Sequence, residues 1–218
     1  MTQIKFGTDG WRGLIADDFT FDNVRRVAAA IAGYVLKHED PARGVVVGYD
    51  TRFLSDRAAR TVAEVIAAAG IPVLLANDYV PTPTVSYNVK KLGAAGGVMV
   101  TSSHNPWNWN GVKFKAKFGG SATPAIMKSI EDELATDVMP SDRSPTPSHR
   151  TRLGEPPAKI PTATIEEVDL KPAYVEAVSE FADLDLIRGA NFKFAIDSMY
   201  GSGRGVRRKY LTRTASDA

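Results

Sequence analysis

Apolar residues follow first a helical and then a strand period along the front of the chain, and the two alternate. From residue 20 to about 37, Val24, Val27, Ala28, Ile31 and Val35 recur at three- and four-residue spacing behind Thr20, which predicts a capped helix with one buried face. Residues 44–49 are a continuous apolar run too short for a helix, and read as a strand buried on both faces. The pattern then repeats. Ala58, Ala59, Val62, Val65, Ile66 and Ala69 mark a second amphipathic helix, with Ser55 as its expected N-cap and Gly70 and Pro72 closing it before a strand at 73–76. Thr82-Pro83 reads as a cap followed by a first-turn proline for a short helix ending near Leu92-Gly93, and the chain then enters a buried strand over 98–100.

Beyond that strand, residues 111–115 alternate and turn at Gly119-Gly120, which predicts a hairpin, and Pro124 opens a helix to about Leu134. The order βαβαβ implies a layered α/β domain over residues 1–138 with helices on the sheet faces; strand order is not written in such a pattern. Residues 139–164 hold six of the thirteen prolines and read as an exposed linker wrapping the surface. After it, 170–181 fits a helix with Tyr174, Val175, Val178 and Phe181 on one side, and 192–196 fits a strand. A single strand cannot bury its faces, so 165–218 is expected to be the truncated start of a second domain.

Composition narrows the partners. With 218 residues, 44% of them hydrophobic, there is material for one full core and part of another. Cysteine is absent, which excludes disulfides and thiolate ligands, so any metal must be held by oxygen or imidazole. No apolar run approaches the roughly 18 residues of a membrane helix, and the N-terminus lacks a signal-peptide core, so the expectation is a cytoplasmic protein with no membrane partner. The net charge of +2 is misleading: residues 204–218 carry +4, which leaves −2 on residues 1–203. No basic face interleaved with aromatics is present, and nucleic acid is not an expected partner.

The chemistry concentrates where the Val98-Met99-Val100 run breaks into Thr101-Ser102-Ser103-His104-Asn105-Pro106. Pro106 continues neither a ladder nor a helix, so these polar residues form a loop beyond the carboxyl end of a strand, where open α/β sheets collect ligands. A Ser beside a His suggests nucleophilic catalysis. Neighbours on an extended segment point to opposite sides, however, so His104 is expected to be badly placed to deprotonate Ser103, and no Gly-x-Ser-x-Gly elbow is present. Arg12, in the glycine-rich stretch 6–13, and Lys113, beside Gly111, are permanent cations able to converge on the hydroxyls, a combination that favours phosphate. The plainer alternatives are a surface turn for 6–13, a capping role for the serines and a solvated strand residue in Lys113. Asp50 and Arg52 either pair with each other or support the hydroxyl loop. The Gly-rich stretch 197–205 resembles a phosphate loop only weakly.

Taken together, Thr101-Ser102-Ser103-His104-Asn105-Pro106 followed by Asn110-Gly111-Val112-Lys113 resembles the phosphoserine loop of the α-D-phosphohexomutases, the phosphoglucomutase and phosphomannomutase family. Phe6-Gly7-Thr8-Asp9-Gly10-Trp11-Arg12-Gly13, Gly48-Tyr49-Asp50-Thr51-Arg52 and Asp197-Ser198-Met199-Tyr200-Gly201-Ser202-Gly203 are similar to further motifs of that family, in the same order. The resemblance implies an α/β/α domain with a mixed sheet, and a second similar domain of which only the start is present. It implies that Ser103 is phosphorylated, that Arg12, His104 and Lys113 contact the phosphoryl group and assist proton transfer, and that Thr101, Ser102 and Asn105 help to bind phosphate. Trp107 and Trp109 then shield the loop. The implied reaction interconverts hexose 1-phosphate and hexose 6-phosphate through a bisphosphate, glucose being favoured over mannose, with glucose 1,6-bisphosphate as activator and Mg²⁺ on the Ser103 phosphate. The family's Asp-Gly-Asp metal loop, sugar-reading loop and distal phosphate loop do not occur here, so turnover by this chain alone is not expected. The basic run after Gly205 departs from the family pattern and reads as truncated or frame-shifted. Two other readings follow from the same residues: a non-catalytic phosphosugar-binding or phosphate-binding module, and an inactive gene fragment.

Overall fold

The computed structural model describes residues 4–7, 10–135, 162–190, 193, 195 and 197–204. The first amphipathic stripe forms α1 (Phe21–His38), capped by Thr20, whose Oγ1 accepts the Asn23 amide at 3.3 Å. Val24, Val27, Ala28, Ile31 and Val35 are wholly buried. Full burial of one Val or Ile is worth about 1.5–3 kcal/mol, so this face, more than helix propensity, holds α1 in place.

The three apolar runs form β2 (Val45–Tyr49), β3 (Val73–Ala76) and β4 (Gly96–Val100), which pair in parallel with β2 in the middle, Val47 opposite both Leu75 and Val98. The crossovers are α2 (Ser55–Ala68) and α3 (Thr82–Leu92). With α1, α2 and α4 (Pro124–Ala135) on one face of the sheet and α3 on the other, the layers are α/β/α. Side-chain size decides how closely α3 approaches. A Cβ on Gly48 would stand 2.5 Å from Val85 Cγ2, and one on Gly97 2.5 Å from Val89 Cγ2, so the two glycines admit α3 against the strand backbones.

The structure differs from the expectation at several points. β5 (Trp109–Ala116) is longer than predicted and pairs antiparallel with β4 on one side and with β1 (Trp11–Leu14) on the other. Both of its edges are thus filled, and the predicted hairpin beyond Gly119-Gly120 shrinks to a single bridge, Lys115 to Ser121. The glycine-rich stretch contributes a strand instead of a surface turn. Ser55 is the first residue of α2 and not its cap: Leu54, at φ +63, holds that position, while the Ser55 hydroxyl donates to Asp50 Oδ1 at 2.8 Å. Pro81, not Thr82, precedes α3, and Pro83 falls within the first turn, where a missing N–H costs nothing.

The largest difference concerns residues 165–168. These form β6 (Ile165–Val168), which pairs in parallel with β3 and gives a mixed six-stranded sheet in the order β1-β5-β4-β2-β3-β6. The segment expected to open a second domain therefore begins by covering an edge of the first sheet, where unpaired β3 groups would otherwise remain open. Next, α5 (Lys171–Glu180) packs on α3, with Tyr174 edge-on to Tyr87 and Val175 buried, while Val178 and Phe181 of its predicted stripe stay exposed, and α6 (Leu184–Gly189) follows, a helix the pattern does not predict. Of the predicted strand 192–196, Lys193 and Ala195 lie in no strand and the other three residues fall outside the described residues, as do most of the linker and everything after residue 204. Among the described residues no helix is long and apolar enough to cross a membrane.

Candidate active site

The hydroxyl loop begins directly after β4. Thr101 and Ser102 are buried, whereas Ser103 and His104 are exposed. Ser103 has φ +58, in the left-handed region that residues with a Cβ seldom adopt. That one dihedral corrects the expectation for His104. The chain bends instead of running extended, both side chains come to one side, and Ser103 Oγ lies 3.3 Å from His104 Nδ1. A ring nitrogen at that distance can take the hydroxyl proton or return it.

Asp50 and Arg52, at the end of β2, brace the loop from below. Thr101 Oγ1 donates to Asp50 Oδ2 at 2.6 Å and itself accepts the Ser103 amide at 3.0 Å. Asp50 Oδ1 accepts from Ser55 Oγ at 2.8 Å and from the Arg52 amide at 3.0 Å. Arg52 Nη1 donates to the carbonyls of Pro106 (2.7 Å) and Trp109 (2.9 Å), and Nη2 to those of Ser103 (3.1 Å) and Asn105 (2.6 Å). Arg52 Nε stands 3.5 Å from Asp50 Oδ2. Both readings of this pair hold: the two side chains face each other, and both support the loop. Asn110, fully buried, donates to Ser55 Oγ at 2.9 Å and joins β5 to the same network.

Above the loop opens a cleft of about 500 Å³ lined by Ser103, His104 and Trp107 from the loop, Asp50, Thr51 and Arg52 from the end of β2, Met99, Thr101 and Thr82, and by Gly201 and Ser202 from the Gly-rich stretch. Ser103, His104 and Thr101 thus line one cleft. Ser102 does not: it is wholly buried, and its Oγ has no hydrogen-bond partner among the described residues. The hydroxyl proton of Thr101 is committed to Asp50, and what Asn105 gives the loop is its backbone, the carbonyl held by Arg52 and the N–H donated to Ser102 O. Arg12 and Lys113 do not line the cleft. They share one face of β1 and β5, since Arg12 pairs with Gly111 and Lys113 is two residues further along. Gly10, at φ +127, lets the backbone entering β1 lie close on β5 there, because a Cβ would stand 2.8 Å from Lys113 Cα.

The Mg²⁺ that the resemblance implies finds no ligand set here. No group of three or more His, Asp or Glu able to hold a metal occurs among the described residues, and Asp50, the carboxylate at the cleft, has both oxygens engaged. A larger depression of about 580 Å³, between α1, α2 and β6, mixes Arg25, Arg57 and Arg60 with Asp56, Glu64 and Glu167 and contains none of the predicted site residues. Burial there, reinforced by Asp78, Asp56 and Glu167, pushes the Tyr49 phenol up from its ordinary value.

Sequence reasoning missed Thr51 and Thr82 as cleft walls and the four-carbonyl grip of Arg52. The only signal was position: Asp50-Thr51-Arg52 stands at the carboxyl end of a strand, and Thr82 opens the helix after the next one.

Residues 3–139 match the family model described as phosphoglucomutase/phosphomannomutase, alpha/beta/alpha domain I. The chain is 36% identical over 134 residues to a phosphoglucomutase of Staphylococcus saprophyticus, a match covering 60% of this chain and 24% of that protein. It is 30% identical over 215 residues to a phosphoglucosamine mutase of Pelotomaculum thermopropionicum, covering 98% of this chain and 44% of the relative. Among solved structures, a protein of Thermus thermophilus provisionally assigned as a phosphomannomutase superposes with a TM-score of 0.78 at 37% identity, over 95% of this chain and 43% of that one. The chain thus spans from about a quarter to less than half of the length of these relatives.

Proposed function

We infer that this chain, which belongs to the phosphoglucomutase/phosphomannomutase family through its domain I, carries the phosphoserine loop of an enzyme that moves a phosphoryl group between the 1- and 6-oxygens of a hexose phosphate. The observation that carries this reading is the exposed Ser103 hydroxyl, 3.3 Å from His104 Nδ1, at the carboxyl end of β4. In the proposed reaction the free hydroxyl of a hexose monophosphate attacks the phosphorus on Ser103. The bond from phosphorus to Ser103 Oγ breaks as the bond to the sugar oxygen forms, and the sugar's proton passes by way of His104 to Ser103 Oγ. Transfer of the other phosphate back to Ser103 completes the exchange. A phosphoserine carries about −1.5 to −2 charge, and Arg12 and Lys113 supply positive charge on the neighbouring strand face to offset it.

Glucose phosphates are the proposed substrates ahead of mannose phosphates, and the cytoplasm the proposed location. Because the relatives are more than twice as long as the aligned part, full turnover is proposed for the longer protein; the step proposed for these 218 residues is phosphoryl uptake by Ser103. Mg²⁺ belongs to the reading as an added ion on the Ser103 phosphate, whose further ligands are not among the described residues. A second reading from the same loop is a module that binds phosphosugar without transfer.

Intact-mass spectrometry before and after incubation with glucose 1,6-bisphosphate and Mg²⁺, with peptide mapping across residues 98–113, separates the two. One phosphate on Ser103, absent in Ser103→Ala, is the expected result. Calorimetric binding of glucose 1,6-bisphosphate with no covalent phosphate would leave the binding module standing in its place.

A further inference from the structure

We propose that Arg52 is the positioning residue of the Ser103 loop, setting where Ser103 Oγ stands without itself contacting phosphate. Ser103 is held at both ends of its own backbone, and both holds trace back to the same pair. Its N–H donates to Thr101 Oγ1, which is fixed by Asp50, and its C=O accepts from Arg52. The left-handed φ of +58 lies between those two tethers. Strained backbone of this kind persists only where its surroundings over-determine it, and the loop's own backbone supplies little: Asn105 N to Ser102 O and Trp109 N to Pro106 O, both 3.1 Å. Neighbouring backbone holds the loop near its ends, Thr101 N–H on Gly111 O at 3.0 Å and Asn108 O under Ile15 N–H at 2.8 Å, and between them the guanidinium gathers four carbonyls of residues 103 to 109.

The chemistry of that grip requires arginine. Two nitrogens of a planar fork each serve two carbonyls, so the four Nη protons are taken by protein, while Nε stands 3.5 Å from Asp50 Oδ2. An ammonium group is a point with three donors and cannot span the two pairs of carbonyls. Arg52 lines the cleft, yet its four Nη protons are committed to loop carbonyls and its Nε faces Asp50. It therefore influences the rate of transfer and not the affinity for phosphosugar. The transfer arm of the test rests on the proposed function; the loop arm does not.

The experiment compares Arg52→Gln and Arg52→Lys in the full 218-residue chain by hydrogen–deuterium exchange and by the rate of phosphate uptake on Ser103 from glucose 1,6-bisphosphate. Both variants are expected to exchange faster across 101–109 while peptides from β2 and α1 keep their protection. Uptake at saturating bisphosphate is expected to fall about 100-fold, the cost of displacing a reacting group by about an ångström, with the half-saturating concentration unchanged. Three outcomes overturn the proposal: unchanged loop exchange in Arg52→Gln, full rescue by Lys, or a raised half-saturating concentration at an unchanged saturating rate. If wild-type chain takes up no phosphate, the functional reading fails while the exchange data still decide the role of Arg52. If neither Arg52 variant folds, Thr101→Val releases the other tether, and unchanged exchange across 101–105 in that variant would refute the two-tether account.

Discussion

Thr101 Oγ1 donates to Asp50 Oδ2 at 2.6 Å, so a carboxylate at the end of β2 fixes the first loop residue after its parallel neighbour β4. The same carboxylate takes the Ser55 hydroxyl and the Arg52 amide on its other oxygen. Asp50→Asn would have to turn its NH₂ toward one of these donors, leaving that donor in partly buried space without an acceptor. The expected cost is about 1–3 kcal/mol of stability, and an unchanged urea midpoint would count against the network.

Gly48 shows how tightly α3 is seated. In Gly48→Ala the new methyl falls 2.5 Å from Val85 Cγ2, and a branched side chain already packed against the sheet has little room to yield. Overpacking of this kind costs about 1–3 kcal/mol. Val85→Ala leaves a cavity when made alone, yet when combined should relieve the closer of the methyl's two clashes, the other being 2.8 Å to Val80 Cγ2. The double-mutant cycle is therefore expected to show the pair costing less than the sum of the two singles; strict additivity would place the methyl elsewhere.

How much of this is legible in the sequence depends on whether the signal is local. α1, α2, β2, β3 and β4 are readable because each repeats its own apolar period within a few residues. β1 and β6 have four residues each, Glu166 and Glu167 occupy the middle of β6, and what makes them strands is an open edge supplied by residues about a hundred positions away. The site divides the same way. Hydroxyls, imidazole and proline in sequence locate the loop, but the positive φ of Ser103 and the acceptors of Arg52 are hidden, because every residue carries a carbonyl and the pattern cannot say which four converge. For the same reason the sequence misplaces His104: alternation of side chains holds only for an extended chain, and Ser103 is the one residue of the loop at which the chain turns into the left-handed region.

Tyr34 offers a test in alkali. Burial, and then Glu39, whose Oε1 accepts the phenol at 3.1 Å, push its pKa up from 10.0 to about 12. A folded pKa above the unfolded one means that the protonated phenol favours the folded state, fully below pH 10, and that this contribution is lost as pH rises from 10 through about 12. The stability gap between wild type and Tyr34→Phe should accordingly narrow across that window in denaturation series run at increasing pH. A gap that stays constant would mean that the phenol titrates alike in both states.

Asn88 tests whether β6 and α5 belong to the first sheet's packing. Its side chain is buried, and Nδ2 donates both to Thr84 O at 2.8 Å within α3 and to Leu170 O at 2.9 Å, the residue that links β6 to α5. Leu170 is itself buried in the cluster formed by Val85, Val89 and Met99. Asn88→Ala removes the polar tie and leaves the Leu170 carbonyl buried without that donor, which costs about 1–3 kcal/mol. The loss should be local at first, because β6 is an edge strand of four residues whose release leaves the other five strands paired. Limited proteolysis of Asn88→Ala is therefore expected to cut within 162–170 well before the sheet unfolds, and hydrogen exchange should show β3 losing protection along the edge that faces β6 while β4 and β5 keep theirs. Unchanged protection over 165–170 would mean that β6 is held by its ladder to β3 alone.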